Sequence, residues 1–522
     1  MAGKYHILTM GCQMNKNDSE RIIGLLLSFG LAEEPAPAKA DLLIINTCSV
    51  RQSAEDRVRG MVKNWLEYKK INPKIIIALT GCLPGRDHDG RLKKKFPGVD
   101  LFFNIEQLPF FPQWLSGLNP ELIENAGRET AVDYLNIFPK RQNFARAFIT
   151  IQTGCNNFCS YCVVPYARGR ERNRPVREIL AEARQFAGQG GLEATLLGQV
   201  VNRYIAPDIE NFSKNNPFLN CHSRTRFASI NSSGNPDTGS VVEQAGIQSR
   251  GLSPSGSPNR SGMTNGADAD CHFAALLWEL NQIDGLRRIY FTAPDPQYFN
   301  EAQIEALKLP KLANYIHLPA QSGDNEILRK MNRKYTREQY IDIIKKIRAA
   351  RPGIAIGTDL IVGFCGETDE QFINTLDLYR QCDFDIAYLA QYSERSGTAA
   401  AKIYKDDVPR EIKKRRWDEL QNLMEKIVFE KNQKYTGREV EVLVEGCSPP
   451  SVSLSALGVS GGGRSPSPSA REGGGGEREI CSGMSSEMKF VQFLGTPDLV
   501  DKIARVKIFE AKEWLLKGEL IE

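Results

Sequence analysis

The sequence predicts an α/β protein in three parts: an N-terminal domain built on a parallel sheet, a partial barrel of about six β/α units, and a small C-terminal β-barrel. Short apolar runs alternate with amphipathic helical segments in the first two parts, and β-branched runs dominate the third. A chain of 522 residues is also too long for one ordinary core. We therefore predict domains over residues 1–140, 141–433 and 434–522.

The first domain alternates three apolar strands with two helices. Strands are predicted over Tyr5–Met10, Leu42–Asn46 and Ile75–Thr80, and helices over Ser19–Phe29 and Ala54–Tyr68. Continuous apolar strands separated by amphipathic helices are typical of a parallel sheet that is covered on both faces. The carboxyl ends of all three strands should therefore meet at one edge of the sheet.

A cysteine follows each of these three strands. Cys12, Cys48 and Cys82 stand just beyond the predicted strand ends, so their thiols should converge at the edge where open α/β sheets bind ligands. A single cysteine in such a place is often only a small buried apolar residue. The same placement on three consecutive strands favours a set of three thiolate ligands for an iron–sulfur cluster.

The second domain repeats the alternation of strand and helix. The predicted strands are Ala147–Thr153, Ala194–Leu197, Ile289–Thr292, Tyr315–Pro319, Ile354–Val362 and Ile386–Gln391. The predicted helices are Val176–Phe186, Phe273–Ile283, Asn300–Leu307, Arg337–Ala350 and Asp369–Cys382. About six units of this kind predict an incomplete barrel with its chemistry at the carboxyl ends of the strands.

A C-x3-C-x2-C loop leaves the first strand of this barrel at that face. Its cysteines, Cys155, Cys159 and Cys162, are close enough in sequence to hold three irons of a [4Fe-4S] cluster and to leave the fourth iron open to a small molecule. A structural zinc site is the main alternative, but zinc prefers four protein ligands and no fourth Cys or His lies nearby. The spacing resembles that of the radical S-adenosylmethionine (SAM) enzymes.

Two segments interrupt the alternation, and a third pattern follows it. Residues 206–270 and 448–486 are rich in small and polar residues and are predicted to be disordered insertions. A long helix is predicted over Pro409–Gln433. The strands predicted after it are Glu439–Val444, Phe490–Leu494 and Ile503–Phe509, which indicate the small C-terminal β-barrel.

The charge distribution suggests a phosphate-bearing partner. The net charge is only +4, but arginines are concentrated just past the cysteine loop, at Arg168, Arg170, Arg172 and Arg174. Such runs are often only solvated surface, yet beside a catalytic loop they are placed to meet RNA phosphates. The sequence shows no signal peptide and no apolar run long enough to span a bilayer, so we expect a cytoplasmic protein with reduced thiols and no membrane contact.

Several stretches together resemble the MiaB-type enzymes of the radical-SAM methylthiotransferase family. They are Met10–Asn15 with Asp18–Glu20, Asn46–Arg51, Gln152–Arg174, His317–Gly323, Met331–Arg333 and Thr358–Glu367. The resemblance covers nearly everything outside the two predicted insertions. It implies an N-terminal methylthiotransferase domain with an auxiliary [4Fe-4S] cluster, a radical-SAM barrel with a second [4Fe-4S] cluster, and a C-terminal TRAM domain that engages RNA.

The same resemblance implies ligands and a reaction. Cys12, Cys48 and Cys82 would bind the auxiliary cluster, and Cys155, Cys159 and Cys162 the cluster that binds SAM. The residues expected to contact SAM are Gly198, Gln199, Thr358, Asp359 and Gly363. The implied reaction consumes two SAM molecules and adds a methylthio group to C2 of N6-isopentenyladenosine in a tRNA anticodon stem-loop. A flavodoxin- or ferredoxin-type protein would donate electrons, and we expect a monomer.

Other functions remain open at this point. Sibling enzymes of the same family modify an aspartate of a ribosomal protein or threonylcarbamoyladenosine in tRNA. Acidic side chains outnumber basic ones in the C-terminal part outside its insertion, which mildly favours the ribosomal-protein substrate, whereas the arginine run favours RNA. A noncatalytic RNA-binding or zinc-stabilised protein is the alternative from a different class.

Overall fold

The computed structural model confirms an α/β fold with parallel sheets and a closed C-terminal β-barrel. It describes residues 3–49, 52–123, 133–141, 143–219, 271–449 and 478–521. No helix within these ranges is both long enough and apolar enough to cross a membrane.

The N-terminal domain is a five-stranded parallel sheet in the order β2-β1-β3-β4-β5. Its strands are β1 (Lys4–Thr9), β2 (Ala32–Glu33), β3 (Leu42–Thr47), β4 (Ile76–Gly81) and β5 (Leu101–Phe102). Its helices are α1 (Gln13–Ser28), α2 (Gln52–Ile71), α3 (Cys82–Gly85) and α4 (Phe111–Leu118). Helix α1 covers one face of the sheet and α2 the other, so β3 and β4 are buried along their whole length.

The second domain contains the six predicted parallel strands, in two three-stranded sheets ordered β10-β9-β6 and β11-β12-β13. Its strands are β6 (Arg146–Thr150), β7 (Gln152–Thr153), β8 (Arg172–Asn173), β9 (Glu193–Leu197), β10 (Arg288–Phe291), β11 (Tyr315–His317), β12 (Ala355–Val362) and β13 (Ile386–Gln391). A parallel bridge links Ile289 of β10 to Leu312, which precedes β11 of the second sheet. One hydrophobic core runs through both sheets, which together form a partial barrel.

The second domain contains nine helices within the described ranges, and most of them pack against this core, as expected for β/α units. They are α5 (Val164–Arg168), α6 (Val176–Gly188), α7 (His272–Asn281), α8 (Glu301–Ala306), α9 (Asn325–Lys330), α10 (Arg337–Ala350), α11 (Asp369–Cys382), α12 (Ala399–Ile403) and α13 (Arg410–Gln433). The capping boxes at Thr336 and Thr368 fix where α10 and α11 begin. Both helices have the bounds that the sequence predicts.

The C-terminal barrel closes in the order β14-β15-β16-β18-β17. Its strands are β14 (Glu439–Ser448), β15 (Glu479–Ser485), β16 (Phe490–Gly495), β17 (Ile503–Ala511) and β18 (Leu516–Leu520). It contacts the amino ends of the larger barrel's strands, where Arg146 pairs with Glu445 at 2.7 Å and Arg288 donates to the Met484 carbonyl oxygen at 3.3 Å. The carboxyl ends of those strands, which carry the cysteine loop, are therefore on the opposite side.

The predicted insertions are wrong at two of their ends. Residues 206–219 pack against α7: Phe212 and Phe218 are buried, and Asn216 Nδ2 donates to the Ala275 carbonyl oxygen at 3.0 Å. Residues 479–485, predicted to be disordered, form strand β15 between β14 and β16. Both segments are rich in small and polar residues, so their sequence does not indicate that they are ordered. The neighbouring elements supply most of the apolar contact. Residues 220–270 and 450–477 lie outside the described residues.

One thiol pair also differs from the sequence-based expectation. Cys447 and Cys481 face each other across β14 and β15 and form a disulfide. The expectation that the chain keeps its thiols reduced is therefore not met at this pair.

The N-terminal domain and the second domain are in close contact where α3 packs against α5. A Cβ added at Gly85, the last residue of α3, would lie 2.0 Å from the carbonyl oxygen of Ala167 in α5. Nearby, His88 Nε2 is hydrogen-bonded to the Tyr166 carbonyl oxygen at 2.8 Å. Since α3 begins at Cys82 and α5 starts two residues after Cys162, this contact brings the two cysteine regions together.

We predict that Gly85→Ala destabilises the protein by about 1–3 kcal/mol, because the new methyl group meets a backbone oxygen that cannot move freely. Gly60→Ala is the matched control: Gly60 lies in α2 with no atom within 4 Å of an added Cβ. That change should be neutral or stabilise by up to about 1 kcal/mol. Urea unfolding followed by circular dichroism measures both, and equal effects would contradict a tight contact between α3 and α5.

Candidate functional site

The first three cysteines converge at the carboxyl edge of the N-terminal sheet. Cys12 stands at the start of α1, Cys48 follows β3, and Cys82 begins α3 directly after β4. Gly11 has a φ of +123°, and a Cβ there would lie 2.9 Å from the Cys48 Cβ. Cys12 is exposed, whereas Cys48 and Cys82 are buried.

A buried polar network holds the turns that carry these cysteines. Asn15 Nδ2 donates to Asn46 Oδ1 at 3.0 Å and to the Thr47 carbonyl oxygen at 3.1 Å. Thr47 Oγ1 donates to the Thr80 carbonyl oxygen at 2.6 Å and accepts from the Leu83 N–H at 3.1 Å. Helix α1 is thus bonded to the end of β3, and β3 to the turn that bears Cys82. Satisfied buried networks of this kind rigidify the backbone around a site.

A buried arginine from the second domain reaches this first triad. Arg168, at the end of α5, is 3% exposed and pairs with Asp18 of α1 at 2.6 Å. Burial raises the pKa of the Cys82 thiol, and the nearby Arg168 guanidinium acts in the opposite direction. Arg168 Nη1 is buried and has no hydrogen-bond acceptor within the described ranges. A sulfide or thiolate of a bound cluster is the kind of acceptor that this donor requires.

The second triad lies on the loop between β7 and α5. Backbone N–H groups point at two of its sulfurs: that of Asn157 at Cys155, 3.5 Å, and that of Val164 at Cys162, 3.4 Å. Burial raises the pKa of Cys155 to about 11 and that of Cys162 to about 12. Buried thiols of this kind remain protonated at neutral pH unless a metal displaces the proton.

A second arginine supports this loop. Arg333 Nη1 donates to Cys159 Sγ at 3.2 Å, and its Nη2 pairs with Asp295 at 3.0 Å. The preceding residue, Asn332, donates to the carbonyl oxygens of Asn157 at 3.2 Å and Phe158 at 3.0 Å. The segment after α9 therefore holds the cysteine loop in place through these hydrogen bonds.

The donor chemistry of both triads fits a four-iron cluster. Each set offers three thiols, and each has an arginine beside it. Among the described side chains, no three His, Cys, Asp or Glu residues are arranged to share a single metal ion. In a four-iron cluster each cysteine binds a different iron, so the three sulfurs need not meet at one point.

Comparison with known proteins identifies the family. The model of the Uncharacterized protein family UPF0004 matches residues 4–104, and that of the Radical SAM superfamily matches residues 149–220 and 266–379. A tRNA-2-methylthio-N(6)-dimethylallyladenosine synthase from a Thermoanaerobacter species is 36% identical over 522 residues, covering 99% of this chain and 93% of the relative. The Carboxydothermus hydrogenoformans enzyme of the same name is 36% identical over 99% of both chains. This chain belongs to the family of these synthases.

A solved structure is similar over much of the chain. The radical S-adenosylmethionine methyltransferase TsrM from Kitasatospora setae superposes with a TM-score of 0.48 at 12% identity, over 77% of each chain. The family assignment rests on the full-length synthases, and it makes the chain a radical-SAM enzyme that transfers a methylthio group.

The residues predicted to contact SAM differ in their burial and hydrogen bonding. Thr358 is buried, donates to the Leu318 carbonyl oxygen and accepts from the Ala320 N–H, both at 3.0 Å, so its hydroxyl joins β12 to the end of β11. The contact of Thr358 with SAM stays a prediction. Asp359 lies 3.1 Å from His317 Nε2. Because its side chain is half-exposed, its carboxylate remains available to a ligand.

The remaining predicted SAM residues shape turns at the same edge. Gly198 follows β9, where a Cβ would lie 3.2 Å from the Gln152 Cβ, and Gln199 beside it is half-buried. Gly363 follows β12 with a φ of +70°, and its N–H donates to Glu367 at 2.6 Å. Because β9 and β12 are parallel strands of the barrel, both turns are at its carboxyl face.

The arginine run divides into buried and exposed members. Arg168 is buried against Asp18, and Arg174 is 7% exposed and donates to Glu182 through Nη1. The prediction that these two contact RNA is therefore wrong, because their charges are already paired inside the protein. Arg170 and Arg172 are exposed, and Arg172 pairs with Asp133 at the surface.

Sequence reasoning missed the residues that support the cysteines. Asp18 and Arg333 each lie in a stretch that resembles the family, but neither the spacing nor the residue type reveals its partner. Asp295 had no signal at all. Their roles come from ion pairs between residues far apart in sequence, which only the folded chain brings together.

We predict that Arg168→Gln destabilises the iron-free protein by about 3–5 kcal/mol, because the buried Asp18 carboxylate loses its partner. Urea unfolding measures the loss. Arg177→Gln, an exposed residue nearby, is the control and should change stability by less than about 0.5 kcal/mol. An Arg168→Gln protein as stable as the control would show that the pair is not buried as described.

Proposed function

We propose that this chain is a tRNA methylthiotransferase that adds a methylthio group to C2 of N6-dimethylallyladenosine next to the anticodon. The similarity to enzymes of that name, at 36% identity over 99% of the chain, carries this proposal. Two cysteine triads, each at the carboxyl ends of strands in one of the first two domains, also support it. An aromatic C–H offers no acidic proton or leaving group, so acid–base residues cannot activate it and a cofactor has to supply that step.

Cys155, Cys159 and Cys162 would hold one [4Fe-4S] cluster and leave one iron open to SAM. When bound, that cluster supplies the electron that cleaves SAM. The protein's own part is to orient the loop through Asn332 and to bury Cys155. Asp359 and the turns at Gly198–Gln199 and Gly363 would hold the polar groups of SAM.

Cys12, Cys48 and Cys82 would hold a second [4Fe-4S] cluster, the auxiliary one. When bound, it would carry the sulfur that is transferred. Arg168 supports this assignment, because its buried Nη1 lacks an acceptor in the described structure and the guanidinium is near Cys82. The contact between α3 and α5 would then keep the two clusters at a constant separation.

Exposed Arg170 and Arg172 are the candidates to bind the tRNA phosphates near the cluster loop. They are on the segment that leads away from Cys162, so a bound anticodon loop would be close to both triads. A flavodoxin- or ferredoxin-type protein would supply electrons to a cytoplasmic monomer.

The sibling activity on an aspartate of a ribosomal protein is the second candidate. It is favoured by the C-terminal barrel, where acidic side chains outnumber basic ones. A basic surface would be expected of a module that binds RNA strongly.

Iron content tests the two-cluster assignment. Anaerobically reconstituted protein should hold about eight irons, and each triple Ala variant, at Cys12, Cys48 and Cys82 or at Cys155, Cys159 and Cys162, about four. The matched control is Cys382→Ala, a buried cysteine in α11 away from both triads, which should retain all of the iron. A wild-type content of about four irons that the Cys12, Cys48, Cys82 triple variant leaves unchanged would remove the auxiliary cluster from the proposal.

Mass spectrometry of tRNA nucleosides tests the substrate. In a strain without its own enzyme, this gene should restore methylthio-dimethylallyladenosine, and the Cys155, Cys159, Cys162 triple Ala variant should not, because no SAM cleavage is possible. Appearance of the methylthio-aspartate of a ribosomal protein on introduction of the gene, with unchanged tRNA, would instead establish the second candidate.

A further inference from the structure

One thiol of the C-x3-C-x2-C loop differs from the other two in its hydrogen-bond donor. Cys155 and Cys162 receive backbone N–H groups, whereas Cys159 Sγ receives the guanidinium of Arg333 at 3.2 Å. A charged donor makes a stronger hydrogen bond than a neutral amide. Cys159 is therefore the sulfur on which a side chain can act most strongly.

The surroundings of Arg333 hold it in this position. Its side chain is 8% exposed, its Nη2 pairs with Asp295 at 3.0 Å, and its Nε donates to the Tyr335 hydroxyl at 3.1 Å. Tyr335 in turn donates to the Ala320 carbonyl oxygen at 2.9 Å. Rotation toward solvent would break the bonds of Arg333 to Asp295, Tyr335 and Cys159, so the guanidinium is fixed against the sulfur.

Asp295 is fixed as well. Its side chain is 7% exposed and accepts from Asn157 Nδ2 at 2.9 Å, while its backbone N–H donates to Asn202 Oδ1 at 2.8 Å. The carboxylate therefore offsets the positive charge of Arg333 at a set distance from Cys159.

We propose that Arg333 and Asp295 are positioning residues that set the reduction potential of the cluster held by Cys155, Cys159 and Cys162. The inference rests on the cluster assignment made under the proposed function. A hydrogen bond from a cation withdraws electron density from the ligating sulfur, which favours the reduced cluster and raises its potential. The Asp295 carboxylate opposes that effect.

This arrangement predicts shifts of opposite sign. Arg333→Gln removes the charged donor and should shift the midpoint potential to a more negative value. Asp295→Asn keeps the shape of the side chain but removes the opposing charge, so the midpoint should become more positive. A residue that only held the loop in place would not give opposite shifts.

The test uses the full-length chain with Cys12, Cys48 and Cys82 changed to Ala, so that one cluster remains. The protein is loaded with iron and sulfide under anaerobic conditions, and its midpoint potential is measured by dithionite titration with electron paramagnetic resonance. Arg333→Lys keeps a positive charge and should recover part of the shift. Arg329→Gln, an exposed residue on the neighbouring helix, should cause none.

Iron content separates the two levels of failure. Opposite shifts at about four irons per chain support the proposal. Unchanged midpoints, or shifts of the same sign, at that iron content overturn it and leave the cluster assignment intact. A parent protein that binds no iron overturns both. If Arg333→Gln alone binds no iron, the signs of the midpoint shifts in Arg333→Lys and Asp295→Asn decide whether the proposal stands.

Discussion

The architecture depends on a polar helix that is buried between two domains. Helix α1 lies between the N-terminal sheet and strand β6, and its Asn17, Asp18 and Arg21 are almost fully buried. Buried charges need partners, and the second domain supplies them: Arg168 for Asp18, and Glu182 for Arg21 at 3.2 Å. Because these pairs form only in one relative placement of the domains, they determine how the two cysteine triads face each other.

The sequence alone was sufficient for much of this arrangement. Strands such as β3 and β4 are continuous apolar runs, so both their position and their burial on two faces could be predicted. Parallel strands share a carboxyl edge, and that rule alone brings Cys12, Cys48 and Cys82 together. Helices α10 and α11 carry strong capping signals, which explains why their bounds were predicted correctly.

The parts that could not be predicted depend on contacts between distant residues. Arg168 and Arg174 look like surface charges, since nothing local indicates that Asp18 and Glu182 will bury them. Strand β15 contains Cys, Ser and Gly, and its stability comes from β14 and β16 on either side. Local patterns report local preferences, whereas burial of a charge or of a weakly apolar strand is decided by its neighbours in space.

Each triad thus has one buried arginine that is held by one aspartate: Arg168 by Asp18, and Arg333 by Asp295. A lone guanidinium beside an iron–sulfur cluster would stabilise its reduced form strongly and weaken it as a reductant, and it would also be costly to bury. An aspartate partner reduces both effects, because the pair is neutral while an N–H group, as in Arg333 toward Cys159, remains directed at sulfur. An arginine–aspartate pair can therefore orient a thiolate and leave the reduction potential of a cluster low enough for reductive chemistry.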